Sequence, residues 1–208
     1  MSGSKSSKPW LRRHVTDSYV RRAREEGYRS RAAYKLLDID AQEQLLWPGA
    51  RIADLGAAPG GWAQVAALRV RPGGSVVAVD FLKIAPISGV VVIQGDVREP
   101  GVLASVREAA GGMLDTVLSD LSPNISGIRN VDQARAAELA EVAANFAELT
   151  LKPGGALLIK AFHGEAYEEV VQMLRERFVK VVVRKPPASR GESRETYVVA
   201  RGPRKRPD

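Results

Sequence analysis

Lys35, Asp120, Lys160 and Glu195 are spread along a 208-residue chain; strands ending at Asp120 and Lys160 would point those two at one sheet edge, and Lys35 and Glu195 would complete a set of four charged groups if the fold brings them there. Two ammonium groups and two carboxylates around a nucleoside site fit chemistry on a hydroxyl. One group takes or steers a proton, and the others align the reacting oxygen with its target. The turn Asp54-Leu55-Gly56-Ala57-Ala58-Pro59-Gly60-Gly61-Trp62 follows an apolar strand and would form the floor of that pocket. The turn alone says only that something is bound.

Ligands of open α/β sheets bind beyond the carboxyl ends of the strands. Gly56, Gly60 and Gly61 remove side chains where a ligand would approach the backbone. The turn is not Gly-x-Gly-x-x-Gly, and Pro59 lacks an amide donor, so a dinucleotide phosphate cradle is disfavoured. Asp80 ends the next strand, about 20 residues on, where an acid holds ribose hydroxyls. Asp96, beyond the third strand, can accept from an adenine amino group, and Asp54 and Asp120 add negative charge near the floor. Such a pocket suits a cationic nucleoside without phosphate. With no cysteine and only His14 and His163, a metal site is not expected.

The elements that would hold these residues follow from periodicity and breakers. Residues 1–9 read as a disordered lead. Thr16 caps a short helix to about Glu26, and Ser30 caps a second to about Leu46, with Ala33, Leu36, Leu37, Ala41 and Leu45 at helical spacing. Strands are expected at 51–55, 75–79, 89–94, 114–119, 156–160, 180–184 and 196–200. Helices are expected at 61–68, 99–110, 132–151 and 165–178. Near-continuous apolar strands alternating with helices predict a parallel sheet covered on both faces. The last two strands are joined by Lys185–Glu195 alone, too short for a parallel crossover, so they should pair antiparallel.

Hydrophobic residues make up 45%, which fits a globular chain. The domain reading is a flexible basic segment at 1–15, a single domain at 16–202 with its N-terminal helices at 16–46, and a basic tail at 203–208. No signal-peptide core or membrane-length apolar run is present, which points to a cytoplasmic protein with no membrane partner. The net charge of +7 is unevenly placed: residues 1–35 carry 10 Lys/Arg against 3 Asp/Glu, residues 36–174 carry 10 against 17, and residues 175–208 carry 11 against 4. If both ends meet, they form one positive surface that attracts a phosphate backbone. Arg12, Arg13, Arg21, Arg22, Arg29, Arg31, Arg184, Lys185, Arg190 and Arg194 are the candidate contacts. Tyr19, Tyr28 and Tyr34 are available to stack on bases.

The Gly-rich turn, Ser119-Asp120-Leu121-Ser122-Pro123-Asn124 and the set Lys35, Asp120, Lys160 and Glu195 resemble the FtsJ-type ribose 2′-O-methyltransferases. So do Arg29-Ser30-Arg31-Ala32-Ala33-Tyr34-Lys35-Leu36 and the stretch from Arg184 to Glu195. The likeness runs from about Trp10 to Gly202 and is nearest to short bacterial members that methylate a uridine in large-subunit (23S) ribosomal RNA. It implies a Rossmann-like, seven-stranded, mostly parallel methyltransferase sheet with one antiparallel strand, and S-adenosylmethionine as donor. It implies Lys35, Asp120, Lys160 and Glu195 as the catalytic set, and cofactor contacts at Gly60, Trp62, Asp80, Asp96 and Asp120. Lys160 then either accepts the hydroxyl proton or stays charged and steers the hydroxyl, while Asp120 orients it and Lys35 and Glu195 position the ribose. A monomer acting on ribosomal RNA within the large subunit is the expected state. A dinucleotide oxidoreductase is opposed by the missing glycine pattern. A ribosome-assembly or RNA-binding factor with a vestigial cofactor fold is opposed by the intact four-residue set.

Overall fold

The computed structural model describes residues 17–124, 126–164, 166–190 and 193–204. In chain order the elements are α1 (Ser18–Glu25), α2 (Ala32–Glu43), β1 (Arg51–Leu55), α3 (Gly61–Arg69), β2 (Ser75–Asp80), β3 (Val91–Gln94), α4 (Pro100–Ala110), β4 (Leu114–Ser119), α5 (Arg129–Thr150), β5 (Leu151–Phe162), α6 (Tyr167–Arg177), β6 (Phe178–Arg184) and β7 (Glu195–Pro203). The strands form one seven-stranded sheet in the order β3-β2-β1-β4-β5-β7-β6. β1 to β5 are joined by parallel pairings, and β7 runs antiparallel between β5 and β6. This is the Rossmann-like methyltransferase fold expected from the sequence.

Side chains alternate across the sheet, so residue parity decides which helices each strand meets. Ala53, Leu55, Val77, Val79, Val117, Leu157, Ile159, Val198 and Ala200 pack against α4, α5 and α6. Ile52, Val76, Ala78, Leu118, Ala156, Leu158, Tyr197 and Val199 pack against α2 and α3. Leu118 and Leu158 are fully buried in that second layer; truncating either to alanine should cost about 2–5 kcal/mol.

Several boundaries differ from the sequence reading. Thr16 lies outside the described residues, and Asp17 caps α1, accepting from the Tyr19 amide at 3.0 Å. Arg31 occupies the cap of α2 without a side-chain bond, so Ser30 is not the cap. That helix ends at Glu43 rather than Leu46 because Gln44 turns left-handed, and the amides of Leu45 and Leu46 bond Asp40 at 2.8 and 2.9 Å. β3 begins at Val91 rather than 89. β5 begins at Leu151 rather than 156, running through Pro153-Gly154-Gly155 with a register shift opposite Leu114 to Thr116. Residues 1–15, Arg12, Arg13 and His14 lie outside the described residues, as does Glu165, the expected start of α6. Among the described residues no helix is long and apolar enough to cross a membrane.

Candidate active site

Asp54, Asp80, Asp120, Lys160, Glu195 and Tyr197 share the parity of Ile52, Ala78, Leu118, Leu158 and Val199. They therefore project toward the layer that holds α2 and α3, at the carboxyl edge of β1, β2, β4 and β5. β7 is antiparallel, so its first residues lie at that same edge: Tyr197 is opposite Lys160, and Glu195 is opposite Phe162. α2 brings Lys35 to meet them.

The four residues form two ion pairs. Lys160 Nζ donates to Asp120 Oδ1 at 2.7 Å and to the Asp120 carbonyl at 3.2 Å, with the lysine side chain 8% exposed and the aspartate 24%. Lys35 Nζ donates to Glu195 Oε1, and both side chains are largely covered. Tyr197, which the sequence reading missed, braces the second pair and lies opposite Lys160 in the sheet. Its hydroxyl donates to Glu195 Oε1 at 2.7 Å and accepts from Lys35 Nζ at 3.3 Å. Burial pushes Tyr197 up, and the charges of Asp120 and Glu195 push it further, so its hydroxyl stays protonated. Burial also raises Glu195, but the Lys35 charge and hydrogen bond outweigh it and hold the carboxyl below its ordinary range. The sequence signal for Tyr197 was its spacing of two from Glu195 on a strand, which puts both on one face.

Two cavities open at this edge and share Gly56. The larger, about 390 Å³, lies over β2, β3 and β4 and is lined by Asp80, Phe81, Asp96, Arg98, Leu121 and Asn124, among others. The smaller, about 170 Å³, lies between the Gly-rich turn and Asp120, with Ser30, Asp54 and Trp62 in its wall. Asp54 is fully buried, and neither of its carboxylate oxygens has a partner within hydrogen-bond geometry. Burial raises it well above the usual carboxylate range, and the charges of Asp120 and Asp80 add to that. Asp80 is fixed by the amides of Ala58 (2.9 Å) and Leu82 (2.8 Å). Asp96 faces the larger cavity with its carboxylate held by Arg98.

The glycines of the turn have protein neighbours. At Gly60, φ is +111°, and a Cβ would come within 2.5 Å of Ile87 and 3.3 Å of Arg29. A Cβ on Gly61 would meet Ser30 Oγ at 2.4 Å, and one on Gly56 would meet Leu121. Close packing of the turn against its own chain therefore also requires these glycines, while Gly56 and Gly61 line the smaller cavity. Trp62 is buried, donates to the Ala32 carbonyl at 2.8 Å, packs on Tyr197 and lines the smaller cavity.

The two basic flanks do meet among the described residues. Asp17 Oδ2 receives both Arg31 and Arg190 at 3.1 Å, and Arg31 donates to the Ala188 carbonyl at 2.5 Å. Arg29 donates to the carbonyls of Pro59, Ala85 and Pro86. Arg184 pairs with Glu43 at 2.5 Å. Arg22 pairs with Glu26 at 2.7 Å and Arg21 with Glu25 at 3.8 Å, so six of the expected RNA cations are engaged within the protein, because a planar guanidinium finds carbonyls and carboxylates at hand. Lys185 and Arg194 stay exposed, Lys185 with a long 3.4 Å contact to the Ser193 carbonyl. Tyr34 packs against Tyr19 (5.5 Å) and Tyr28 (5.7 Å), beside Ala23 and Ala188, so these rings fill a small core rather than wait for bases. His163 packs on Tyr167 at 4.4 Å, and among the described residues no cluster of three or more His, Asp or Glu could hold a metal.

Residues 28–203 match the model of the FtsJ-like methyltransferase family. The chain is 52% identical over 200 residues to the ribosomal RNA large subunit methyltransferase E of Acidithiobacillus ferrooxidans, covering 96% of this chain and 91% of that protein. It is 50% identical over 205 residues to the protein of that name from Nitrosospira multiformis, covering 98% and 100%. Among solved structures, a putative ribosomal RNA methyltransferase of Plasmodium falciparum superposes with a TM-score of 0.75 at 29% identity, over 85% of this chain and 98% of that one. Aeropyrum pernix fibrillarin, solved with S-adenosyl-L-methionine, shares the fold at a TM-score of 0.58 and 20% identity, over 83% and 75%. The chain belongs to the FtsJ-like methyltransferase family.

Proposed function

We propose, from that membership and from the two adjoining ion pairs, that the chain transfers a methyl group from S-adenosylmethionine to a ribose 2′-hydroxyl of RNA. The proposed target is a uridine of large-subunit (23S) ribosomal RNA, methylated within the large subunit by a cytoplasmic monomer whose catalytic domain spans 16–202. The observation that carries the reading is Lys160 paired with Asp120 and Lys35 paired with Glu195, side by side at the mouth of an acidic two-part cavity.

The cavity residues fit the donor. Asp54 is fully buried, and the charges of Asp120 and Asp80 further disfavour its ionised form. A bound cation relieves that repulsion, whereas a phosphate would add to it. Asp80 would hold ribose hydroxyls and Asp96 the adenine amino group in the larger cavity; Gly60, Trp62 and Asp120 would border the amino-acid end. When bound, S-adenosylmethionine supplies an electrophilic methyl group on a sulfonium.

The chain's residues have to align an acceptor oxygen and let its proton go. Lys160 spends two N–H groups on Asp120; as an ammonium it has a third. That group would hold the acceptor oxygen, with Asp120 fixing its direction. An ion-paired Lys160 favours steering over proton acceptance; the hydroxyl proton would leave to water as the C–O bond forms and the methyl–sulfur bond breaks, releasing neutral S-adenosylhomocysteine. Lys35, Glu195 and Tyr197 would position the ribose. Exposed Lys185 and Arg194 would meet phosphates, with the remaining donors of Arg29, Arg31, Arg184 and Arg190 around them.

The test is transfer of labelled methyl to large ribosomal subunits, or to their RNA, from cells lacking this protein, followed by nuclease mapping. Label on a single uridine 2′-oxygen supports the reading. Donor binding without label on either substrate would turn it toward a non-catalytic RNA-binding role.

A further inference from the structure

The larger cavity is closed on one side by a turn that sets the orientation of a carboxylate. The Asp96 carbonyl accepts from the Glu99 amide at 2.9 Å, and Asp96 Oδ1 accepts from the Arg98 amide at 2.9 Å. The Arg98 side chain then folds back onto the same carboxylate. Its Nε lies 2.9 Å from Oδ1 and 3.0 Å from Oδ2, and its Nη2 lies 2.5 Å from Oδ2. Both residues line the cavity, and the aspartate side chain keeps 31% exposure.

A carboxylate offers about four acceptor positions. The Arg98 amide sits on Oδ1, Nη2 on Oδ2, and the single Nε–H is shared between the two oxygens. Three N–H groups thus meet about four acceptor positions, which leaves room for one more donor, on Oδ2, and the two-point grip of a planar guanidinium fixes its direction. A single vacant acceptor on a charged oxygen takes one N–H and repels a carbonyl. We infer that Arg98 is a positioning residue for donor selectivity: by locking Asp96 it makes the cavity select a purine that carries an exocyclic amino group over one that carries an oxo group. This inference rests on the proposed nucleoside donor and deepens it, since the family resemblance supplied Asp96 but no role for Arg98.

Removing the guanidinium leaves the Arg98 amide on Oδ1, so the turn survives while the carboxylate gains rotational freedom. The experiment is calorimetric binding of S-adenosylhomocysteine and S-inosylhomocysteine to the full chain and to Arg98→Ala, Arg98→Lys, Asp96→Ala and the Asp96→Ala/Arg98→Ala double variant. The adenosyl compound should bind Arg98→Ala about tenfold more weakly, with the inosyl compound within twofold of its own value, so that discrimination collapses. Arg98→Lys should recover part of the loss, because an ammonium cannot grip both oxygens. The double variant should bind no worse than Asp96→Ala alone, and in turnover the loss should fall on KM for the donor rather than on kcat. An adenosyl-to-inosyl ratio preserved in Arg98→Ala overturns the inference while leaving the donor reading intact. Failure of the unsubstituted chain to bind the adenosyl compound overturns the donor reading and the inference with it.

Discussion

Replacing Lys160 by alanine separates chemistry from binding and from folding. Lys160 is 8% exposed and bonds Asp120 twice, so its removal strands a carboxylate beside Asp54 and Asp80. Breaking a fully buried pair costs about 3–5 kcal/mol. Asp120 retains 24% exposure and can recruit water, so a loss of about 1–3 kcal/mol is expected here. The catalytic loss should be larger. Removing a group that holds the acceptor oxygen should lower single-turnover methyl transfer about 10³-fold, equivalent to about 4 kcal/mol at the barrier. Donor binding should move the other way. The lost lysine charge no longer repels a sulfonium, so the preference for S-adenosylmethionine over neutral S-adenosylhomocysteine should rise by roughly fivefold, a screened interaction of about 1 kcal/mol. The assay pairs labelled methyl transfer to large subunits with equilibrium binding of both compounds, using the thermal midpoint as a folding control. A folded variant that turns over within tenfold of the parent chain would refute the role given to Lys160. A donor affinity that falls as far as turnover would make it a binding residue instead.

Three further outcomes are expected. Asp54→Asn should become more stable relative to the parent as pH rises. A buried acid raised above its ordinary value of 3.8 binds a proton that the unfolded chain releases, so the parent loses stability from about pH 4 up to the raised value; a gap in thermal midpoint that stays flat from pH 4 to 8 would contradict this. Gly60→Ala should cost about 2–4 kcal/mol in denaturant unfolding, since it combines φ +111° with a 2.5 Å approach to Ile87, whereas Gly127→Ala, at φ +85° with open space around it, should cost about 1 kcal/mol. Equal losses at the two sites would discount the Ile87 contact. Lys185→Ala/Arg194→Ala should weaken RNA binding and flatten the slope of log K against log salt by about 2, because each removes one phosphate contact; an unchanged slope would place the RNA elsewhere.

Strand and helix identities were legible because buried parallel strands and amphipathic helices have distinct periods, and most boundaries fall within a few residues of those expected. The clearest errors arose where a polar side chain acts at a distance. Nothing local to Leu45 and Leu46 says that Asp40 will take their amides and end α2 early. The pocket acids were visible as strand-end residues, and Lys160 as the end of an apolar run. Lys35 and Glu195, 160 positions apart, entered the set through family resemblance rather than spacing, and their pairing was not foreseen. The basic surface was legible as composition only. Which cations stay exposed depends on carboxylates such as Asp17 and Glu43, whose partners the fold alone decides.

The place of β7 gives the molecule an order of assembly. β5 and β6 are both synthesised before the strand that separates them, so a growing chain carries an open slot in its sheet until β7 emerges. The walls of the acidic cavities all lie between Ser30 and Leu139 and need no later residue. The Lys35–Glu195 contact must wait for the slot to fill, which puts one of the longest loop closures in the chain at the end of folding. A nascent chain can thus shape its acidic cavities early, while the pair beside them forms only when its final strand slides home.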